Sequence, residues 1–166
     1  MIDIRTATEA DAVELRAYAI ELFRENLPGI FKRPDPTLEE ELQFIRSYQE
    51  QPNSALFVAV EDGAIVGNLG FVGGTLEEER RTGTFGISVA RGHRGRGIGT
   101  ALLEALLEWA PGAGVRRVQA SAWANNPRAI ALYERMGFVQ EGVCRQAVIR
   151  DGQPVDVVML ARLLDG

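Results

Sequence analysis

The sequence predicts an α/β protein: a mixed sheet of about seven strands with helices on both faces. Three observations predict it. Apolar residues recur with strand period and helix period in the order β-α-α-β-β-β-α-β-α-β-β. Two short turns, Glu61-Asp62-Gly63 and Asp151-Gly152, join strand-like runs as hairpins. An apolar run, Thr84 to Val89, leads into a glycine-rich stretch, Arg94 to Thr100, from which a helix, Ile98 to Trp109, departs. At 166 residues the chain is expected to form a single domain, 1–166, large enough for a real core.

Each element has its own signal. Ile2 and Ile4 alternate with polar residues as a short first strand. Thr8-Glu9-Ala10-Asp11 has the pattern of a helix start, and Val13, Ala17 and Ile20 recur at helical spacing toward Asn26. Pro28-Gly29 stops that helix, and residues 27–36, with three prolines, read as irregular. A second helix runs from about Thr37 to Tyr48 with Leu38, Leu42 and Ile45 on one face. Ala55 to Val60 and Ala64 to Val72 are paired strands. A polar loop carrying Glu77-Glu78-Glu79-Arg80-Arg81 follows, read either as solvated surface or as a lure for a cationic substrate. Thr82 to Val89 enters the glycine stretch. The helix beyond it sets Ile98, Leu102, Leu106 and Trp109 on one face. Val115 to Ala122 is a strand. Pro127 opens a helix with Ala129, Leu132, Tyr133 and Met136 at helical spacing, and Gly137 is its left-handed cap. Val139 to Ile149 and Val155 to Leu160 form the last hairpin.

Composition narrows the class. Hydrophobic residues make up 46% of the chain and charged residues 25%, as in an ordinary globular protein. The net charge of −5 argues against nucleic acid as a partner. No run approaches membrane-spanning length, and Met1 to Arg5 lacks a basic-then-apolar signal pattern. A single cysteine, Cys144, forbids an internal disulfide and fits a reducing, cytoplasmic setting. With one histidine, His93, beside it, a multi-ligand His/Cys metal site is not expected. Nothing next to Cys144 in sequence would activate it, so it reads as a buried structural thiol.

The stretch Arg94-Gly95-Arg96-Gly97-Ile98-Gly99-Thr100 carries the chemistry. Glycines at alternate positions clear one side of the turn for close approach of a ligand or another backbone. The N–H groups that open a helix have no intrahelical partner, and the helix dipole adds positive potential. With Arg91, Arg94 and Arg96 this reads as a phosphate or pyrophosphate site; the other reading is a tight structural turn. It is not the dinucleotide fingerprint G-x-G-x-x-G, because Thr100 stands where glycine is required. Nor is it a P-loop, because the only lysine is Lys32.

Arg94 to Gly99 resembles the Q/R-x-x-G-x-G/A pyrophosphate signature of the GNAT superfamily of N-acetyltransferases. Asn126 to Phe138 is similar to that family's N-x-x-A-x-x-L-Y-x-x-x-G-F segment, and the element order extends the resemblance over nearly the whole chain. The resemblance implies a GNAT-type sheet whose two central parallel strands, near 84–89 and 116–122, splay apart to admit the acetyl-pantetheine arm of acetyl-CoA. It implies that the loop, Arg94 to Thr100, holds the pyrophosphate. The backbone of the stretch Ile87-Ser88-Val89 would pair with the pantetheine arm like an added strand, and Asn126 would hydrogen-bond it. For Asn126 a helix cap is the compatible alternative.

The implied reaction is direct attack of a primary amine on the thioester. Tyr133 is the candidate general acid, since a phenol stays protonated at neutral pH; the alternative is a core tyrosine hydrogen-bonded to backbone. The base stays unassigned. Thr84 and Ser121 stand where relatives carry glutamate and cannot serve, and His93 lies inside the phosphate loop. Glu25, Glu141 or a relayed water remain. The helix pair and residues 27–36 would form the acceptor wall, or else Leu27, Ile30 and Phe31 simply seal the core edge. The acidic composition favours a small amino-acid-like or polyamine-like amine. Acetylation of a protein N-terminus, as by ribosomal-protein acetylases, and non-catalytic acyl-CoA sensing are the competing readings. A homodimer through the sheet edge or C-terminal hairpin is a further expectation of the resemblance.

Overall fold

The computed structural model describes residues 1–165. One seven-stranded sheet runs in the order β1-β2-β3-β4-β5-β7-β6. The strands are β1 Asp3–Thr6, β2 Ala55–Glu61, β3 Ala64–Gly73, β4 Thr82–Val89, β5 Arg117–Trp123, β6 Val139–Arg150 and β7 Gln153–Leu163. The helices are α1 Ala12–Phe23, α2 Leu38–Gln49, α3 Ile98–Trp109 and α4 Pro127–Arg135. The fold class and element order are those expected from the sequence.

Local chemistry explains the connections. The β2–β3 turn places Asp62 and Gly63 at φ 52° and 79°, and the β6–β7 turn places Asp151 and Gly152 at 51° and 77°. Both tips are thus left-handed at two successive residues, which matches the twist of the flanking strands. Thr37 caps α2: its hydroxyl accepts the Glu40 N–H while the Glu40 carboxylate accepts the Thr37 N–H. Helix α1 begins later than Thr8, after a 3₁₀ turn at Glu9–Asp11 in which the Asp11 carboxylate accepts the Thr8 N–H. It ends earlier than expected, at Phe23; Asn26 follows at φ 57°, and Pro28-Gly29 form a separate turn closed from the Ile30 N–H to the Leu27 carbonyl at 3.2 Å.

Two apolar layers enclose the sheet. Leu69, Phe71 and Phe85 pack with Ile98, Leu102 and Leu106 of α3 and Tyr133 of α4. On the opposite face Leu15, Tyr18 and Leu22 of α1 pack with Ile45 of α2 and Leu56 and Val58 of β2. The buried stripe of α1 is therefore Leu15, Tyr18, Ala19 and Leu22, whereas Val13 is 63% exposed and Ala17 is also on the solvent side. Leu38 at the start of α2 is exposed too. Both corrections have one cause: helical spacing admits more than one apolar stripe, and packing on the sheet selects the stripe that is covered.

Among the described residues the only parallel pairing, β4 with β5, covers Thr82–Thr84 and Arg117–Gln119. Beyond it β4 stays paired with β3 as far as Val89, and β5 with β7 as far as Trp123. The two central strands thus share three rungs and then part. Phe85, the first β4 residue past the pairing, meets Tyr133 edge-on with centroids 5.3 Å apart and Phe138 at 5.7 Å. An aromatic ring from α4 therefore reaches the mouth of the opening.

At the far end β6 is the outermost strand, and residues 139–147 are all exposed. Cys144 lies there and is exposed, not buried as the sequence implied. An edge strand lends its thiol no second layer to hide in.

Candidate active site

Two cavities meet at the opening between β4 and β5. The first, about 410 Å³, lies over the glycine loop. Gly95 and Gly97 adopt φ 76° and 82°, the left-handed region that a side chain strains. Gly97 is the N-cap residue of α3, and the first helical bond runs from the Ala101 N–H to the Gly97 carbonyl at 3.0 Å. The N–H groups of Ile98, Gly99 and Thr100 precede that bond and are available to an anion.

Of the residues expected at the cofactor, all but Arg96 and Tyr133 come together here. Gly95, Gly97, Ile98, Gly99 and Thr100 line the cleft from the loop, and Arg94 joins them. Ile87, Ser88 and Val89 line it from β4, and Asn126 from the start of α4. The Arg96 guanidinium pairs instead with Glu61 at 3.1 Å, and Tyr133 lines the second cavity.

Side-chain partners refine these roles. Arg94 donates to the Val89 carbonyl at 2.9 Å and grips both oxygens of Glu25, at 2.8 and 3.0 Å. Much of its charge is thus spent on fixing the loop to the end of α1. Arg128 and Arg135 also line the cleft, and among the described residues neither has a carboxylate partner. They sit seven residues apart, two turns along one face of α4. The Nδ1 of His93 is buried in the loop without a partner. Asn126 caps α4, accepting the Ala129 N–H at 3.4 Å.

The second cavity, about 880 Å³, lies on the α1/α2 face. Its floor is Asn68 and Gly70 of β3, Gly86 and Ser88 of β4, and Ser121 of β5. Gly70 leaves room for the Tyr48 hydroxyl, which would lie 2.3 Å from a Cβ there. A buried chain crosses the floor: Tyr18 and Ser88 hydroxyls are 2.7 Å apart, and Ser88 donates to Asn68 Oδ1 at 2.7 Å. Because Ser88 spends its proton on Asn68, Tyr18 donates to Ser88. Burial pushes the Tyr18 pKa well up.

The wall is the proline-rich segment, held from outside. Arg150 donates to the Leu27 and Ile30 carbonyls at 3.0 and 2.6 Å, and its guanidinium lies 4.7 Å from the Trp123 ring centroid. Phe31 meets the same ring edge-on, and Asn26 and Lys32 both reach Asp151. Leu27, Pro28 and Ile30 line the first cavity, and Pro28, Ile30 and Phe31 the second. The segment thus borders both spaces.

Tyr133 lines the second cavity, is 5% exposed, and has a pKa pushed up to about 12 by burial. Among the described residues its hydroxyl has no hydrogen-bond partner, backbone or otherwise. The base candidates fare differently. Glu25 is committed to Arg94, and Glu141 of the edge strand β6 to Arg117 of β5. Thr84 accepts from Gln119 at 3.1 Å and does not line either cavity, whereas Ser121 lines the second.

Two groups that sequence reasoning passed over stand out. Glu41 of α2 is 6% exposed, lines the second cavity, and has its pKa raised by burial. Arg33 lines the same cavity. Among the described residues neither is in a hydrogen bond or ion pair. A signal for Glu41 did exist: Glu39-Glu40-Glu41 spans about 200° of a helix, too wide for all three to face water on an amphipathic element.

Comparison with known proteins agrees with this geometry. Residues 16–138 match the model of the Acetyltransferase (GNAT) family. The L-amino acid N-acetyltransferase AaaT of Escherichia coli is 29% identical over 120 residues, 69% of this chain and 71% of that one. A GNAT-family acetyltransferase structure from Streptococcus pneumoniae superposes with TM-score 0.92 at 28% identity, over 99% of this chain and 100% of that one. A phosphinothricin acetyltransferase from Sinorhizobium meliloti, solved with acetyl-CoA, shares the fold at TM-score 0.87 and 22% identity, over 98% and 88% of the two chains. The co-substrate of this family is acetyl-CoA, and the N–H-rich cleft, its free arginines and the unpartnered His93 Nδ1 suit a pyrophosphate-bearing group. A sheet parted beside a glycine loop, and a family match spanning most of the chain, together make this protein an acyltransferase of the GNAT family.

Proposed function

We propose that this enzyme moves the acetyl group of acetyl-CoA to the primary amine of a small, amino-acid-like molecule by direct attack on the thioester. The observation that carries the reading is the continuity of the two cavities through the splayed strands. Ile87, Ser88, Asn126, Ala129 and Leu132 line both. A co-substrate held by its phosphates over the loop would thread its arm between β4 and β5 and present its thioester to the second cavity. The β5-facing edge of Ile87 to Val89, which β5 leaves unpaired, would hold the arm, and Asn126 would assist.

Tyr133 supplies the proton that the departing thiolate needs. A hydroxyl kept protonated by burial is a donor at every physiological pH. Positioning does the rest, since the thioester is already activated.

The second cavity also bears on the acceptor. Asp35 is paired with Arg24 at 2.8 Å, and Glu40 caps α2, so Glu41 and Arg33 are the charges left for a ligand. One free anion and one free cation match an amine that carries a carboxylate better than a polyamine. Phe31, Phe44, Tyr48 and Trp123 offer apolar surface for its body.

The test is thiol release from acetyl-CoA with L-methionine, L-phenylalanine, spermidine and a short peptide. Turnover of the amino acids well above spermidine is expected. Tight acetyl-CoA binding without thiol release from any amine would instead support an acyl-CoA sensor. Preference for the peptide would support N-terminal acetylation.

A further inference from the structure

We propose that Glu41 is the base of the reaction, the carboxylate that takes the proton of the acceptor ammonium. This rests on the acetyltransferase reading and adds the member that the strands do not provide. The floor of the second cavity offers amide, hydroxyl and glycine, and none of these accepts a proton at neutral pH. Three carboxylates reach this cavity from its walls. Asp35 is neutralised by Arg24, and Glu40 is spent on the Thr37 N–H. Glu41 alone is buried and has no partner among the described residues.

A buried carboxylate without a partner is costly, and most proteins pair or remove it. Here the burial is at a cavity wall, so the partner can arrive from outside. Arg16 of α1 favours the anion from a distance, while Glu40 on the same helix disfavours it. Tyr18 from α1, Tyr48 from α2 and Arg33 from the proline-rich segment line the same cavity. The two tyrosines remain neutral, their pKa values raised by burial. Desolvation outweighs the rest and raises the affinity of Glu41 for a proton, which brings the group closer to the working pH of a general base.

The proton ledger balances. The amine nitrogen bonds to the acetyl carbon as the carbon–sulfur bond breaks. Of the two protons that an ammonium loses on becoming an amide, the first passes to Glu41 and then to water. The second balances the proton that Tyr133 gives to the thiolate sulfur.

The test uses Glu41→Gln and Glu41→Asp in the full chain. Carbon-13 NMR titration of the protein alone should show a Glu41 carboxyl above the ordinary glutamate value, a signal absent in Glu41→Gln. With the fastest acceptor of the amine panel, Glu41→Gln should lose the acidic limb of kcat/KM. Its rate at pH 7 should fall by about 10²–10⁴-fold, with acetyl-CoA affinity by calorimetry unchanged. Glu41→Asp should keep a limb, displaced along the pH axis, at reduced kcat. A carboxyl that titrates at its ordinary value, or an acidic limb that survives in Glu41→Gln, overturns the proposal whatever the rate. If Glu41→Gln fails to fold, an undisplaced limb in Glu41→Asp overturns it equally. Failure of the wild type to acetylate any amine would count against the function itself, a separate outcome read before any variant is made.

Discussion

Gly97 shows how one residue sets the cofactor cleft. Its φ of 82° places the first N–H groups of α3 at the turn, and no atom lies within 4 Å of where its Cβ would be. The requirement is therefore conformational, not steric. Gly97→Val should fold, because the site is open, and yet cost about 1–2 kcal/mol in loop conformation. Acetyl-CoA affinity measured by calorimetry should drop accordingly; undiminished affinity would detach the loop from the cofactor. Tyr133 is a second case. Tyr133→Phe keeps the edge-on contact with Phe85 and the tilted contact with Phe138 and removes only the donor. Turnover should fall by about 10²–10⁴-fold with thermal stability nearly unchanged. Since burial holds this hydroxyl near pKa 12, the wild-type rate should show no basic limb from it across the neutral range. A structural tyrosine would give the reverse: lower stability and normal turnover.

At the scale of elements, the start of α1 is fixed by Asp11. Its carboxylate takes both terminal nitrogens of Arg5, at 2.7 and 2.8 Å, and the Thr8 N–H at 2.7 Å. One side chain therefore ties β1 to the helix that follows. Asp11→Asn should destabilise the fold by about 1–2 kcal/mol, discounted because the Arg5 side chain is 39% exposed. The pH dependence follows from the sign of the shift. The Arg5 hydrogen bonds hold the Asp11 pKa below its ordinary value of 3.8. The folded state thus gains from this group above that value and loses the gain as pH falls through the depressed pKa. Urea unfolding of wild type and Asp11→Asn should differ at pH 7 and converge in strong acid. Constant separation across that range would show that the pair is not the source.

At the scale of the molecule, the proline-rich wall of the second cavity, proposed to meet the acceptor, depends on residues far apart in the chain. Arg150 lies 123 and 120 positions from the two carbonyls it holds. Arg150→Ala should loosen residues 26–36 on the final hairpin, leaving the Asn26 and Lys32 contacts to Asp151 as the remaining tie. The KM for the acceptor should rise, and limited proteolysis should cut this segment faster than in the wild type. The sheet core should keep its melting temperature nearly unchanged, because Arg150 belongs to neither apolar cluster. Equal proteolysis and equal KM would show that the segment holds itself. Thr84 and Ser121 serve as controls for the base. Alanine at either should leave the acidic limb of the pH–rate profile in place, since neither hydroxyl can accept a proton at neutral pH.

The sequence by itself determined the elements and the glycine turn that opens α3. Hairpin tips, helix caps and the glycine turn are decided by residues within a few positions of one another, and such rules read directly from the chain. Pro127 after a capping asparagine and Gly137 at φ 87° bracket α4 for that reason. Tertiary structure decided which groups are spent and which are free. The motif sets Arg94 in the glycine loop, but only the fold shows that Glu25, 69 residues away, pairs with it. Cys144 reads as core until β6 proves to be the sheet's outer edge. Glu41 reads as one of three solvated acids until α2 turns it toward the cavity wall. A side chain's partner is fixed by approach between distant segments, and a charge becomes available for chemistry only when that packing leaves it unpaired.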